Sequence, residues 1–190
     1  MTKEDWGNII NNDRVAYEKL YIDYFKKFYN YGKKFTANTA VIEDSIQEVF
    51  LDIWVNRQKL LQVSSINSYF FSAFRYILLR KIKKEKKMVS SEEFETEPEF
   101  SIDYMLINKE VNDELQLKLK KALKALTPHQ REAIFLRFYQ TLSYEEVAEI
   151  LNISVKATYK IIARSLSALK ESMLIFIAFG LIILNTKKLF

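Results

Sequence analysis

The sequence predicts an all-α protein of two small helical domains joined by an acidic linker, and three observations carry that prediction. The 190 residues include only two prolines and three glycines, too little turn chemistry for a sheet-rich chain. Apolar residues recur at three- and four-residue spacing through most of the sequence, the period of a helix with one buried face. Charge is also partitioned along the chain. From Arg75 to Lys87, seven basic residues accompany one acid, Glu85. From Met88 to Asn108 there is no Lys or Arg, while Glu92, Glu93, Glu95, Glu97, Glu99 and Asp103 are present beside Ser90, Ser91 and Pro98. Such a stretch reads as a linker. The expected divisions are a first domain at 1–87, a linker at 88–110, a second domain at 111–171 and a tail at 172–190.

Composition limits the chemistry. There is no cysteine, hence no disulfide framework and no thiolate metal site, and the single histidine is His129. A lone histidine is more often a surface or capping residue than a ligand or base, so a zinc centre and a Cys/His nucleophile are not expected. Neither a Gly-rich phosphate loop nor a G-x-S-x-G turn is present. The sequence therefore points away from an enzyme and from any cofactor. The net charge of +5 permits an anionic partner without identifying one. The opening MTKEDWGNII lacks the charged-then-apolar build of a signal peptide, and the expected location is the cytoplasm.

In the first domain, helices are expected over about 13–36, 39–58 and 66–87. The first carries Tyr17, Leu20, Tyr21, Tyr24, Phe25 and Phe28 at core spacing. The second contains DSIQEVFLDIW, residues 44–54. Ile42, Ile46, Val49, Phe50 and Ile53 share one side of it, and Asp44, Gln47 and Glu48 lie opposite. Leu51 sits in the middle of that polar side and Trp54 at its border, an apolar centre with a polar rim. The third helix, with Ser65 or Asn67 as its cap, begins aromatic and ends basic. Tyr69, Phe70, Phe71, Phe74 and Tyr76 are interleaved with Arg75, Arg80, Lys81, Lys83 and Lys84. Some of these rings belong to the core. Others, beside the cations, suit stacking on unpaired bases.

The second domain is punctuated more sharply. Thr127-Pro128 caps the short helix QREAIFLRFY, with proline at the first helical position. Ser143 and Glu146 form a capping box ahead of YEEVAEIL. Asn152 ends that helix and Ser154 caps the next, VKATYKIIARSLSALKE. Two helices joined by a tight turn, with Ala148 at the close-contact position, form a helix-turn-helix signature. Lys156, Ala157, Tyr159, Lys160 and Arg164 lie early and outward on its second helix, where side chains reach the major groove. A helical hairpin used for protein contact is the bland alternative.

With these residues in view, the sequence resembles the sigma-70-type RNA polymerase sigma factors of the extracytoplasmic-function group, in the compact two-domain form common in Bacteroidota. The resemblance spans about residues 13–171. Its markers are VIEDSIQEVFLDIW and LTPHQREAIFLRFYQTLSYEEVAEILNIS, in that order. It implies an alternative sigma factor that binds core RNA polymerase and promoter DNA. Asp44, Gln47, Glu48, Leu51 and Trp54 would dock on the clamp coiled coil, and the polymerase flap would be a further contact. Tyr69, Arg75, Tyr76, Arg80, Lys81, Lys83 and Lys84 would serve the promoter element near about −10 and strand opening. Lys156, Ala157, Tyr159, Lys160, Ile161 and Arg164 would serve the element near about −35.

The sequence departs from the family pattern at several of these positions. Arg75-Tyr76 and Arg80 stand where the family often has Arg-Asn and then Asp or Asn. Ile161 stands where His or Arg is expected, and Ala157 where Thr is common. An apolar residue cannot hydrogen-bond a base edge, although it contacts a thymine methyl. Altered promoter readout, shared with a second DNA-targeting partner, is the expectation these departures raise. The tail MLIFIAFGLIIL, residues 173–184, is too short to span a bilayer, which takes about 20 residues. It extends the last helix toward a partner such as an anti-sigma factor or recruiting protein, packs on its own domain, or meets a membrane surface. The rival functions are a stand-alone helix-turn-helix transcription regulator and a protein-interaction adaptor.

Overall fold

The computed structural model describes Gly7, Asn11, residues 13–58, residues 65–89, Phe100 and residues 113–186; side chains are described except at 88–89, 113–118 and 172–186. The described elements are helical. The contacts divide the chain into two compact units. The first reaches to Glu99, the second begins at Phe100, and Glu149–Leu151 group with the first. Most of the stretch read as linker lies outside the described residues.

Among the described residues the first unit is built on three helices: α1 (Arg14–Gly32), α2 (Thr39–Asn56) and α3 (Ile66–Val89). Each begins on a short polar side chain that satisfies orphan amides of the first turn. Asp13 accepts from the amides of Val15 and Ala16, and Asn38 from those of Ala40 and Val41. Ser65 accepts from the Ser68 amide. Asn67, the other expected cap, instead accepts a hydrogen bond from the Tyr24 hydroxyl, tying α3 to α1. Helix α1 stops at Gly32, short of the expected residue 36. The chain there turns back, with the Phe35 amide donating to the Gly32 carbonyl, and the Phe35 ring closes on Tyr31 at 5.1 Å. Helix α3 runs on through Val89.

The three helices pack on one another around an aromatic core. Phe28 of α1 stacks on Phe74 of α3 at 4.6 Å and meets Phe71 edge-on at 5.2 Å. Tyr24 meets Phe70 edge-on at 4.9 Å. Helix α2 contributes Ile42, Ile46, Val49, Phe50 and Ile53, all buried as the periodicity requires. Each such side chain taken from water stabilises the fold by about 1.5–3 kcal/mol. Ser45, buried on the same side, donates to the Val41 carbonyl at 2.6 Å and leaves no orphan hydroxyl.

Among the described residues the second unit contains α4 (Asp113–Lys124), α5 (Pro128–Ile134), a π-helical turn at Phe135–Tyr139, α6 (Tyr144–Leu151) apart from its last three residues, and α7 (Val155–Thr186). Helices α4 and α5 pack against α7. The cap of α5 is a full capping box in which Thr127 and Gln130 exchange side-chain-to-backbone bonds of 3.2 and 2.9 Å. Phe100 belongs to this unit: it is fully buried, its ring 5.7 Å from Phe135. Helix α7 continues without a break through the apolar tail to Thr186, whose side chains lie outside the described residues. Among the described residues no helix is long and apolar enough to cross a membrane.

Candidate functional site

The outward side of α2 carries the first candidate surface. Asp44 and Gln47 are exposed, Glu48 and Trp54 are half-buried, and Leu51 is 67% exposed. One turn beyond Leu51 stands Val55, 72% exposed, which sequence reasoning passed over. Its spacing of four from Leu51 was the available signal. Trp54 is braced from two sides. The Tyr17 ring lies 4.7 Å away, and the Arg57 guanidinium sits 4.5 Å from the indole while donating to the Trp54 carbonyl. Tyr17 is itself anchored, its hydroxyl donating to the Phe50 carbonyl at 2.6 Å. Burial, with the neighbouring Tyr21 adding, pushes that hydroxyl up to about 12, so it remains a donor. The result is a fixed Trp edge beside two free aliphatic side chains.

Glu48 does not stand apart as a rim residue. It forms an ion pair with Arg80 and another, at 3.2 Å, with Lys81, both on α3. Burial pushes its carboxyl up, but hydrogen bonds and charge from Lys81 and Arg80 outweigh that and hold it below the ordinary range. The tertiary fold thus joins one residue expected to meet polymerase to two expected to meet DNA. The partly solvated carboxylate accounts for only a modest energy, since such pairs are worth about 0–1 kcal/mol.

On α3 the interleaved aromatics divide by burial. Phe70, Phe71 and Phe74 are core. Tyr69 is half-buried, its hydroxyl pushed upward first by burial and then by Asp52. Tyr76 is 67% exposed, with the Arg80 guanidinium 5.8 Å from its ring. Lys83 and Lys84 are exposed, Arg75 and Lys81 half-buried. At helical spacing, Tyr69, Tyr76, Arg80 and Lys83 form one aromatic-to-basic stripe.

The helix-turn-helix takes the geometry its caps foretell. Ser143 and Glu146 close their capping box at 2.8 and 3.1 Å. Asn152 adopts φ 53°, the left-handed position that ends α6, and the Ile153 amide reaches back to the Ala148 carbonyl at 3.0 Å. Ser154 accepts from the Ala157 amide at 3.1 Å. Lys156, Tyr159, Lys160 and Arg164 are exposed on α7, while Ala157 and Ile161 are half-buried. Tyr144, which sequence reasoning used only as a helix residue, stacks on Tyr159. No local pattern signals that pairing, because fifteen residues and a turn separate the two. Among the described residues no cluster of His, Cys, Asp and Glu could hold a metal ion.

Fold and surfaces together define an all-helical architecture whose second unit carries a helix-turn-helix. The Sigma-70, region 4 family matches residues 116–169, which contain that helix-turn-helix. The RNA polymerase sigma factor YlaC of Bacillus subtilis is 25% identical over 164 residues, covering 84% of this chain and 93% of the relative. The ECF RNA polymerase sigma factor SigM of the same organism is 24% identical over 160 residues, covering 82% and 94%. Among solved structures, the sigma factor RpoE in complex with the anti-sigma factor NepR from Bartonella quintana shares the fold at a TM-score of 0.59 and 20% identity, covering 82% of this chain and 95% of that one. CnrH in complex with the cytosolic domain of CnrY does so at 0.58 and 15%, covering 89% and 94%. Residues 116–169 thus carry the Sigma-70, region 4 pattern, and the chain is similar over most of its length to RNA polymerase sigma factors, one of them of the ECF group.

Proposed function

We propose that this chain is an alternative sigma factor that directs transcription initiation by core RNA polymerase, and that it docks on the polymerase clamp through Asp44, Gln47, Leu51, Trp54 and Val55, with Glu48 at the margin. The observation that carries the proposal is the exposed Leu51–Val55 pair beside a braced Trp54, on a helix whose opposite side is wholly core. An apolar centre with a polar rim is the build of a protein interface. The stripe from Tyr69 through Tyr76 to Arg80 and Lys83 captures the unpaired strand near about −10, by stacking and phosphate contact. Helix α7 enters the major groove of the upstream element, with Lys156, Lys160 and Arg164 on phosphates or base edges. The second unit engages the polymerase flap. The protein acts without catalysis of its own, in the cytoplasm, where its polymerase works. One neighbour in fold is held by an anti-sigma factor, and an inhibitory partner of that kind suits this chain as well. The apolar extension of α7 is the candidate contact for it or for a recruiting DNA-targeting protein.

Run-off transcription on a pool of genomic fragments, with purified core polymerase and with or without this chain, tests the proposal. Discrete new start sites that disappear with Leu51→Asp support it. Duplex binding without polymerase, indifferent to Leu51, identifies a stand-alone regulator instead.

A further inference from the structure

The second unit holds a stacked group of side chains beside the turn between α5 and α6. The Tyr159 ring lies on the Tyr144 ring with centroids 3.9 Å apart and planes 13° from parallel. The Arg137 guanidinium is 4.9 Å from the Tyr144 centroid, and its Nη1 donates to the Leu142 carbonyl at 2.9 Å. That carbonyl belongs to a turn held by Thr141 at φ 55° and by the Leu142 amide on the Leu136 carbonyl. The stack therefore begins on a pinned turn and ends on the recognition helix.

Tyr159 nonetheless remains 50% exposed. With one face against Tyr144 and half of the residue still open to solvent, the ring's orientation is set before DNA arrives. A preset ring loses little rotamer freedom on binding. Around it, Lys156, Lys160 and Arg164 are charged, whereas Ala157 and Ile161 offer only carbon. A flat carbon surface cannot pair with donors or acceptors, and the apolar feature of the major groove is the thymine methyl. Resting on the reading of α7 as the upstream-element helix, we propose that Tyr159 reads a thymine 5-methyl group there, and that Tyr144 is the positioning residue that holds its ring.

The test uses the full chain with core polymerase on a promoter defined by its own start sites. If the wild-type protein yields no discrete starts with a shared upstream element, the reading of α7 falls and the inference with it. Where it does, each upstream thymine is replaced singly by deoxyuridine, which removes only the methyl group. One position is expected to lose about three- to five-fold in promoter binding, the size of one buried methyl. Tyr159→Ala and Tyr144→Ala should abolish that difference at the same position, and Tyr159→Phe and Tyr144→Phe should keep it. Thermal unfolding of the Ala variants, with the transition of the second unit retained, shows that they are folded. No deoxyuridine-sensitive position, or a sensitivity unchanged in Tyr159→Ala, overturns the proposal. Equal damage from Tyr159→Phe and Tyr159→Ala overturns it in favour of a phosphate contact by the hydroxyl.

Discussion

Leu51→Ala is expected to weaken binding to core RNA polymerase while leaving the fold of the first unit intact. Complete burial of a leucine side chain is worth about 1.5–3 kcal/mol. Leu51 is 67% exposed in the free chain, so about two thirds of that amount remains to be gained on docking, or ~1–2 kcal/mol. The loss converts to roughly five- to thirty-fold in affinity. The same exposure means that truncation empties little core, and the melting midpoint should move by no more than a surface substitution does, within about 0.5 kcal/mol. Ile46, fully buried on the other side of α2, is the control. Ile46→Ala should cost ~2–5 kcal/mol of stability by leaving a cavity. The assay pairs competition binding to core polymerase with thermal unfolding of the free protein. Unchanged affinity in Leu51→Ala, or a stability loss like that of Ile46→Ala, refutes the reasoning.

Other perturbations test the fold and its charges. Gly32→Ala should destabilise the first unit: a Cβ there would lie 2.8 Å from Ile42 Cγ2 and 3.3 Å from Phe74 Cζ, and Ile42 is stiff at χ1. Overpacking costs about 1–3 kcal/mol against a helix-propensity gain of up to ~1 kcal/mol, so a raised melting temperature would contradict this packing. Phe100→Ala should cost the second unit ~3–5 kcal/mol, and urea unfolding that matches wild type would place Phe100 outside its core. The lowered pKa of Glu48 sets the sign of an acid effect. Its contribution is fully present above the ordinary carboxylate value and is lost as pH falls through the depressed folded value. Glu48→Gln should flatten the acid limb of the stability profile by less than ~1 kcal/mol, because the pair is partly solvated. An unaltered limb would show that the ion pairs do not form in solution.

Local features were legible in the sequence. The caps at Thr127, Ser143 and Ser154, the left-handed stop at Asn152 and the buried stripe of α2 all depend on groups within a few residues of one another. Short-range geometry alone satisfies them. The all-helical class and the helix-turn-helix followed from the same signals. What the sequence could not rank was which aromatics of α3 face inward, since Phe70 and Tyr69 are neighbours along the chain and differ only in what α1 and α2 place against them. Nor could it show Glu48 between Arg80 and Lys81, Phe100 against Phe135, or Tyr144 beneath Tyr159. Each of those contacts joins residues from different elements. The sequence alone determined the helices, their caps and their buried sides, because hydrogen bonds and periodicity act along the chain. Only the tertiary structure decided which charges neutralise one another and which rings remain free to bind, because those depend on distances that packing sets.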